Sequence, residues 1–302
     1  MSSALDSSLS QAVTRPLPLP RQQLDTAFGS PRDFLNNRFV YVVLSSRARG
    51  LSVGVNMNPD KYCNFDCCYC EVNRAIPPSD TSLDTELMAA ELLQTLTLIH
   101  EGKLPEVWRC TAVPPELLQL RHVALSGDGE PTLCPDFAEA VQAVVHVRAL
   151  GRVPFFKLVL ITNSTGLDLP QVQYGLKFFT KQDEIWAKLE AGTQAYMDKV
   201  NGSQVPIEKV MANILQLGRE RPIIIQGLFP LIHGVEPDQK EIDEYAQRVK
   251  ELSDAGAKIS LVQIYSATRP SPHSEFSHLP LRSLSRIAQT VRQVTGLKVE
   301  VF

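Results

Sequence analysis

The chain lacks any apolar run near the roughly 18–20 residues that a bilayer-crossing helix needs, so no stretch of it reads as a membrane span. No apolar stretch follows its first residues, and no secretory signal is read there. A surplus of basic residues is missing as well: 30 Lys and Arg face 33 Asp and Glu, for a net charge of −3. That balance does not suggest a broad electrostatic footprint for nucleic acid, and it leaves room for a local basic patch. The makings of a disulfide framework are also absent. Four of the six cysteines crowd into eight residues, and Cys110 and Cys134 stand alone. Such spacing suits a metal site in a reducing compartment, with the cytoplasm as the expected location. No cysteine precedes Cys63, and no internal repeat is visible.

What is present is 302 residues, 44% of them apolar, enough for one large α/β domain or two ordinary ones. Residues 1–36, rich in Ser, Pro, Gln and Asp, read as a flexible arm. A transit peptide is the rival reading, for which Arg15 and Arg21 are few. From residue 37 onward strand-like and helix-like runs alternate. Strands are expected at 39–45, 51–58, 122–126, 156–162, 184–190, 223–231, 258–265 and 297–302. Helices are expected at 81–102, capped by Asp80 or Thr81, and at 137–150, 172–180, 196–218 (interrupted at Gly202 and Pro206), 240–255 and 281–294. Residues 103–120, with Pro105, Pro114 and Pro115, read as an irregular connection. Repeated β–α alternation implies a parallel sheet covered by helices. Six such units, counted from Leu51, predict an open, partial (β/α)6 barrel.

The densest chemistry lies in Cys63-Asn64-Phe65-Asp66-Cys67-Cys68-Tyr69-Cys70. Cys63, Cys67 and Cys70 stand in the spacing C-x3-C-x2-C, with the aromatic Tyr69 just ahead of the last. Soft thiolates suit iron–sulfur clusters and zinc. Structural zinc normally takes four ligands, and no fourth Cys or His completes this loop. A 4Fe–4S cluster held by three thiolates leaves one iron open to another ligand.

This hook resembles the signature of radical S-adenosylmethionine (radical SAM) enzymes. Residues 45–74 (SSRARGLSVGVNMNPDKYCNFDCCYCEVNR) are similar to the branch related to the wyosine-forming tRNA enzymes, which carries a Ser-Arg…Gly…Gly-Val strand just ahead of its cysteines. The resemblance extends over residues 39–302 and implies a TIM-like partial barrel of the radical SAM type, with 37–302 as its core domain and C-terminal extension. It makes Cys63, Cys67 and Cys70 the iron ligands of one 4Fe–4S cluster, whose open iron is chelated by S-adenosylmethionine. Cys68, between ligands, is expected to point away as a small buried residue.

Further motifs follow strands. Ser126-Gly127-Asp128-Gly129-Glu130-Pro131-Thr132 resembles the family segment whose backbone binds the SAM amino group; an ordinary turn capped by Asp128 or Glu130 is the plainer reading. Asn163, in Ile161-Thr162-Asn163-Ser164-Thr165, can hydrogen-bond a ribose or a carboxylate, or cap the next helix. Lys188 and Glu190 project to one face if the strand runs through both. The resemblance assigns Lys188 to the SAM carboxylate and Glu190 to its ribose hydroxyls; a salt-bridged pair is the alternative. Gln226 and Gly227, near the family's adenine-contacting region, and Gln263 and Tyr265, followed by Arg269-Pro270, can face a substrate or pack the core. His233, His273 and His278 fall in expected loops, and Cys134 reads as a buried structural thiol.

The resemblance implies that a reduced cluster passes an electron to bound SAM, giving methionine and a 5′-deoxyadenosyl radical that abstracts hydrogen from a substrate. It also implies a low-potential donor such as flavodoxin or ferredoxin. A tRNA base is one candidate substrate. The wyosine-forming enzymes, however, hold a second cluster on cysteines ahead of the hook, which this chain does not have, and they are more basic. A small molecule or a peptide therefore stays open, with no membrane partner expected. A non-catalytic 4Fe–4S electron-transfer or regulatory protein is the alternative from a different class, and a zinc module is a third.

Overall fold

The computed structural model describes residues 34–108, 113–268 and 275–302. Residues 1–33 of the expected arm, Cys110, Arg269, Pro270 and His273 lie outside the described residues. In chain order the elements are β1 (Val40–Ser45), β2 (Gly50–Asn56), α1 (Thr85–His100), α2 (Leu104–Val107), β3 (Leu120–Ser126), α3 (Phe137–Ala149), β4 (Leu158–Thr162), α4 (Pro170–Leu176), β5 (Glu184–Lys188), α5 (Gln194–Asn201), α6 (Ile207–Glu220), β6 (Ile223–Leu228), β7 (Pro230–Ile232), α7 (Gln239–Asp254), β8 (Ile259–Tyr265), β9 (Phe276–His278), α8 (Leu281–Thr295) and β10 (Val299–Val301). This is the α/β class expected, with eight strands in one mostly parallel sheet and eight helices among the described residues. Among those residues no helix is long and apolar enough to cross a membrane.

The chain divides into two compact units. The first takes residues 34–60, 78–159 and 173–183, with strand order β1-β2-β3 and then the start of β4. β1 runs antiparallel to β2, and β2 parallel to β3. Every residue of β2 is buried. Its Val53 and Val55, with Met88 and Leu92 of α1 and Phe137 and Val141 of α3, belong to the core. Helix α1 begins at Thr85, later than expected, because Asp84 rather than Asp80 or Thr81 caps it, accepting the N–H of Glu86 and Leu87. Asp80 instead takes the Arg38 guanidinium. The buried Glu91 carboxylate on α1 accepts the N–H groups of Arg38, Phe39 and Val40 at 2.8–3.1 Å, fixing where β1 starts.

The second unit takes residues 61–77, 160–172 and 184–302; there the end of β4 is followed by β5-β6-β8-β10. From β5 to β10 the pairing is parallel, and its register aligns Lys188, Gln226, Gln263 and Glu300 across four strands. Helices α6, α7 and α8 each bury one stripe: Ile207, Val210, Ile214 and Leu217 on α6, Ile242, Tyr245 and Val249 on α7, Leu284, Ile287 and Val291 on α8. A second, two-stranded sheet of β7 and β9 was not anticipated; it breaks the expected long strand at 223–231 after Leu228 and places His278 on a strand instead of a loop. The expected strand 184–190 likewise ends at Lys188, although the Leu189 N–H still reaches the Gln226 carbonyl at 3.0 Å.

In the first unit Asp183 holds the α3 and β4 ends together. Its carboxylate takes Arg148 Nη1 at 2.8 Å, the Leu158 N–H at 2.7 Å, and the Thr180 N–H and hydroxyl at 2.7 and 2.9 Å. Burial alone would raise its pKa, but Arg148 and the other donors outweigh this and hold it below the usual 3.8. A carboxylate with a depressed folded-state pKa stabilises the fold above the unfolded value, and that contribution fades as the pH falls through the folded one. Replacing Asp183 with Asn should therefore cost about 3–5 kcal/mol at neutral pH. In urea unfolding curves, its gap to the wild type should narrow below about pH 4.

Candidate active site

Within the second unit the cysteine hook rests on the C-terminal end of α5. The Asp66 N–H donates to the Asn201 carbonyl at 2.9 Å, and the Cys68 N–H to the Val200 carbonyl at 2.8 Å. α5 ends on Gly202, whose φ of +54° is left-handed; a Cβ there would stand 2.7 Å from the Asp66 carbonyl oxygen. Glycine is thus needed twice, for the backbone conformation and for the close approach. Lys61 ties the segment's ends by donating to the carbonyls of Asn73 at 2.9 Å and Ile76 at 2.7 Å.

Each hook sulfur accepts an N–H: Cys63 from the Phe65 backbone at 3.5 Å, Cys67 from Asn201 Nδ2 at 3.4 Å, and Cys70 from Arg74 Nη1 at 3.5 Å. Donors aimed at sulfur suit thiolate more than thiol. None of the described cysteines is in a disulfide. Burial, and then Glu190, push the Cys67 thiol up to about 12, so a bound cation would be needed to hold it deprotonated. Among the described residues no three Cys, His, Asp or Glu side chains are gathered tightly enough for a single metal ion. A cube of irons asks for less, because each iron takes its own thiolate. Cys63 opens onto a cavity of about 500 Å³ lined also by Asn64, Asp66, Asn73, Arg74 and Gly202. The donor set fits a three-thiolate cluster.

Cys68 packs against an apolar cluster containing Tyr69, Val200, Leu228, Ile232 and Tyr265. The Tyr69 hydroxyl donates to Glu190 Oε2, which also accepts Asn201 Nδ2 at 2.6 Å. Lys188 Nζ lies 3.2 Å from the Tyr69 hydroxyl, 5.1 Å from its ring centre and 3.5 Å from Glu190 Oε1. That second oxygen is buried and has no hydrogen-bond partner. Lys188 and Glu190 do converge, even though the strand stops at Lys188. Asn163 is occupied by its own turn: it donates to Asn64 Oδ1 at 2.8 Å and accepts the Thr165 N–H and hydroxyl at 3.0 and 2.7 Å. Asn64 in turn donates to the Thr165 hydroxyl at 3.0 Å. Gln226 and Gln263 are buried and bonded to each other at 2.7 Å, and Gln226 Oε1 has no partner.

In the first unit the segment after β3 is braced by β2. Asn56 donates to Asp128 Oδ2 at 2.9 Å and accepts the Asp128 N–H at 2.9 Å. Gly127 has φ +134°, and a Cβ on it would meet Asn56 Oδ1 at 2.2 Å. Tyr41 lies across Gly54 to reach the Ser126 hydroxyl at 2.9 Å. The Glu130 side chain caps the short turn at Pro131–Leu133, accepting the Thr132 N–H and hydroxyl at 3.1 and 2.6 Å. Cys134 is buried.

The structure thus brings Cys67, Tyr69, Lys188 and Glu190 into one network and adds Asn201, which the sequence reading passed over. Its only signal was its place one residue before Gly202, a residue read as a helix interruption.

No protein-family model matches the chain. It is 26% identical over 247 residues to a "UPF0026 protein" of Helicobacter pylori, covering 80% of this chain and 71% of that one. Among solved structures it is similar to a radical SAM methyltransferase from Sphaerobacter thermophilus, with a TM-score of 0.60 and 16% identity over 87% of this chain and 68% of the other. It is also similar to TYW1 with a lysine–pyruvate adduct bound, with a TM-score of 0.52 and 17% identity over 84% of each chain. The fold is that of radical SAM proteins, TYW1 among them.

Gly202→Ala should disturb the hook more than it disturbs the fold. Alanine in a left-handed conformation costs about 1–2 kcal/mol. Gly151, with φ +64° and nothing within 4 Å of a Cβ, supplies the control. Both alanine variants should melt a few degrees lower. Only Gly202→Ala should alter how fast the hook cysteines react with a thiol-alkylating reagent.

Proposed function

We propose that this protein is a radical SAM enzyme whose hook holds one 4Fe–4S cluster and whose Lys188 and Glu190 hold S-adenosylmethionine. When bound, the pair supplies reductive cleavage of SAM to methionine and a 5′-deoxyadenosyl radical, for hydrogen abstraction from a substrate. The observation that carries this reading is the joining of hook and carboxylate: Asn201 donates to Cys67 at 3.4 Å and to Glu190 at 2.6 Å, while Glu190 Oε1 is left without a hydrogen-bond donor.

Each residue has a defined task. Cys63, Cys67 and Cys70 ligate iron. Glu190 Oε1, an acceptor short of a donor, takes ribose hydroxyls, and the Lys188 ammonium 3.5 Å away takes a carboxylate. Tyr69 and Asn201 hold Glu190 Oε2, so the free oxygen keeps its aim. In the first unit Asn56 sets the shape of the glycine-rich stretch Ser126-Gly127-Asp128-Gly129-Glu130, whose Glu130 is spent on capping. Asn163 serves by shaping the turn that meets Asn64 of the hook. Flavodoxin or ferredoxin is the electron donor in this reading. The substrate is a small molecule, a peptide or a tRNA base, and the neighbours' names support no choice among them.

Anaerobically reconstituted, dithionite-reduced protein given SAM should release 5′-deoxyadenosine, and Cys67→Ala should bring this to background. Glu190→Gln should weaken SAM binding about tenfold to a hundredfold, the worth of a charge-assisted hydrogen bond, in equilibrium dialysis. An intact cluster that gives no product and no spectral change with SAM would instead mark a non-catalytic iron–sulfur protein.

A further inference from the structure

Asn201 Nδ2 carries two hydrogens, and both contacts it makes are to acceptors: Cys67 Sγ at 3.4 Å and Glu190 Oε2 at 2.6 Å. Turning the amide over would set its oxygen against a carboxylate and a sulfur, so this network fixes its orientation. The residue is 3% exposed, and its own carbonyl accepts the Asp66 N–H from the hook. The Cys67 sulfur and a carboxylate are therefore joined through one NH2 group, beside the Tyr69 hydroxyl, which also bonds both.

We infer that Asn201 is a positioning residue that sets the reduction potential of the cluster and ties that potential to whatever occupies Glu190. The inference rests on the reading of Cys67 as an iron ligand. A hydrogen bond to a ligating sulfur stabilises the more negative, reduced cluster and so raises its potential. The Glu190 charge acts the other way, disfavouring reduction, and its short bond to one hydrogen of the amide competes with, and weakens, the longer bond that the other hydrogen makes to Cys67. A ligand donating hydroxyls to Glu190 relaxes that competition and strengthens the hold on Cys67. The coupling is reciprocal: a ligand that raises the potential binds the reduced protein more tightly by the same factor.

The test is an EPR-monitored redox titration of the reconstituted cluster without SAM. It compares the wild type with Asn201→Ala, the isosteric Asn201→Asp, Glu190→Gln, and the double variant Asn201→Ala with Glu190→Gln. Asn201→Ala should shift the oxidised-to-reduced equilibrium about tenfold toward the oxidised form, a fall of about 59 mV for one electron. Asn201→Asp should fall further, and Glu190→Gln should rise. The Glu190→Gln rise should shrink when Asn201 is already alanine, because the shared amide is gone. Should the alanine variant fail to hold a cluster, the aspartate variant and Glu190→Gln still give the comparison. A wild-type cluster whose potential ignores Asn201, or effects that simply add, overturns this inference alone. A wild-type protein that assembles no 4Fe–4S cluster overturns the underlying reading with it.

Discussion

Glu190 is 4% exposed, and a carboxylate buried to that degree is costly unless its oxygens are answered. One oxygen is answered twice, by Tyr69 from within the hook and by Asn201 from the end of α5. The other looks to Lys188 without a hydrogen bond. This uneven satisfaction orders the neighbourhood. Tyr69 cannot leave its place in the hook without stripping Glu190 of a donor, and Asn201 cannot leave without releasing Cys67 as well. The position of the hook sulfurs is thus set partly by a residue over a hundred positions away in sequence.

The first unit meets a related demand with strand geometry. A glycine loop after β3 has little side-chain bulk to give it a shape, so neighbouring strands supply one. Tyr41 lies over Gly54, where no larger residue would fit, to reach Ser126, and Asn56 clasps Asp128 from both sides. Asn56 and Ser126 close the parallel strands β2 and β3, whereas Tyr41 reaches in from the antiparallel β1.

Local chemistry was legible in the sequence and distant pairing was not. The hook could be read because its cysteines fall within eight residues, and the strands because β-branched runs alternate with amphipathic helices. Lys188 and Glu190 were legible as a pair, though for a reason that only half holds: the strand ends at Lys188, and Tyr69 and Asn201 complete the convergence. The α1 cap was misplaced because Asp80 and Asp84 look alike until Arg38 is seen to claim the first. The small β7 and β9 sheet was invisible because each strand has only three residues and no pattern of its own. Asn201 escaped because an asparagine just before a glycine reads as ordinary helix termination.

The contact between Gly202 and Asp66 bears on what keeps the hook in shape. In small metal-bound domains the ion often does this, so that losing the ion loses the fold. Here two backbone hydrogen bonds, from Asp66 to Asn201 and from Cys68 to Val200, press the loop against the end of α5, and no sulfur takes part in either. Exchanging the side chain of any one hook cysteine would therefore leave the loop's main-chain anchorage in place.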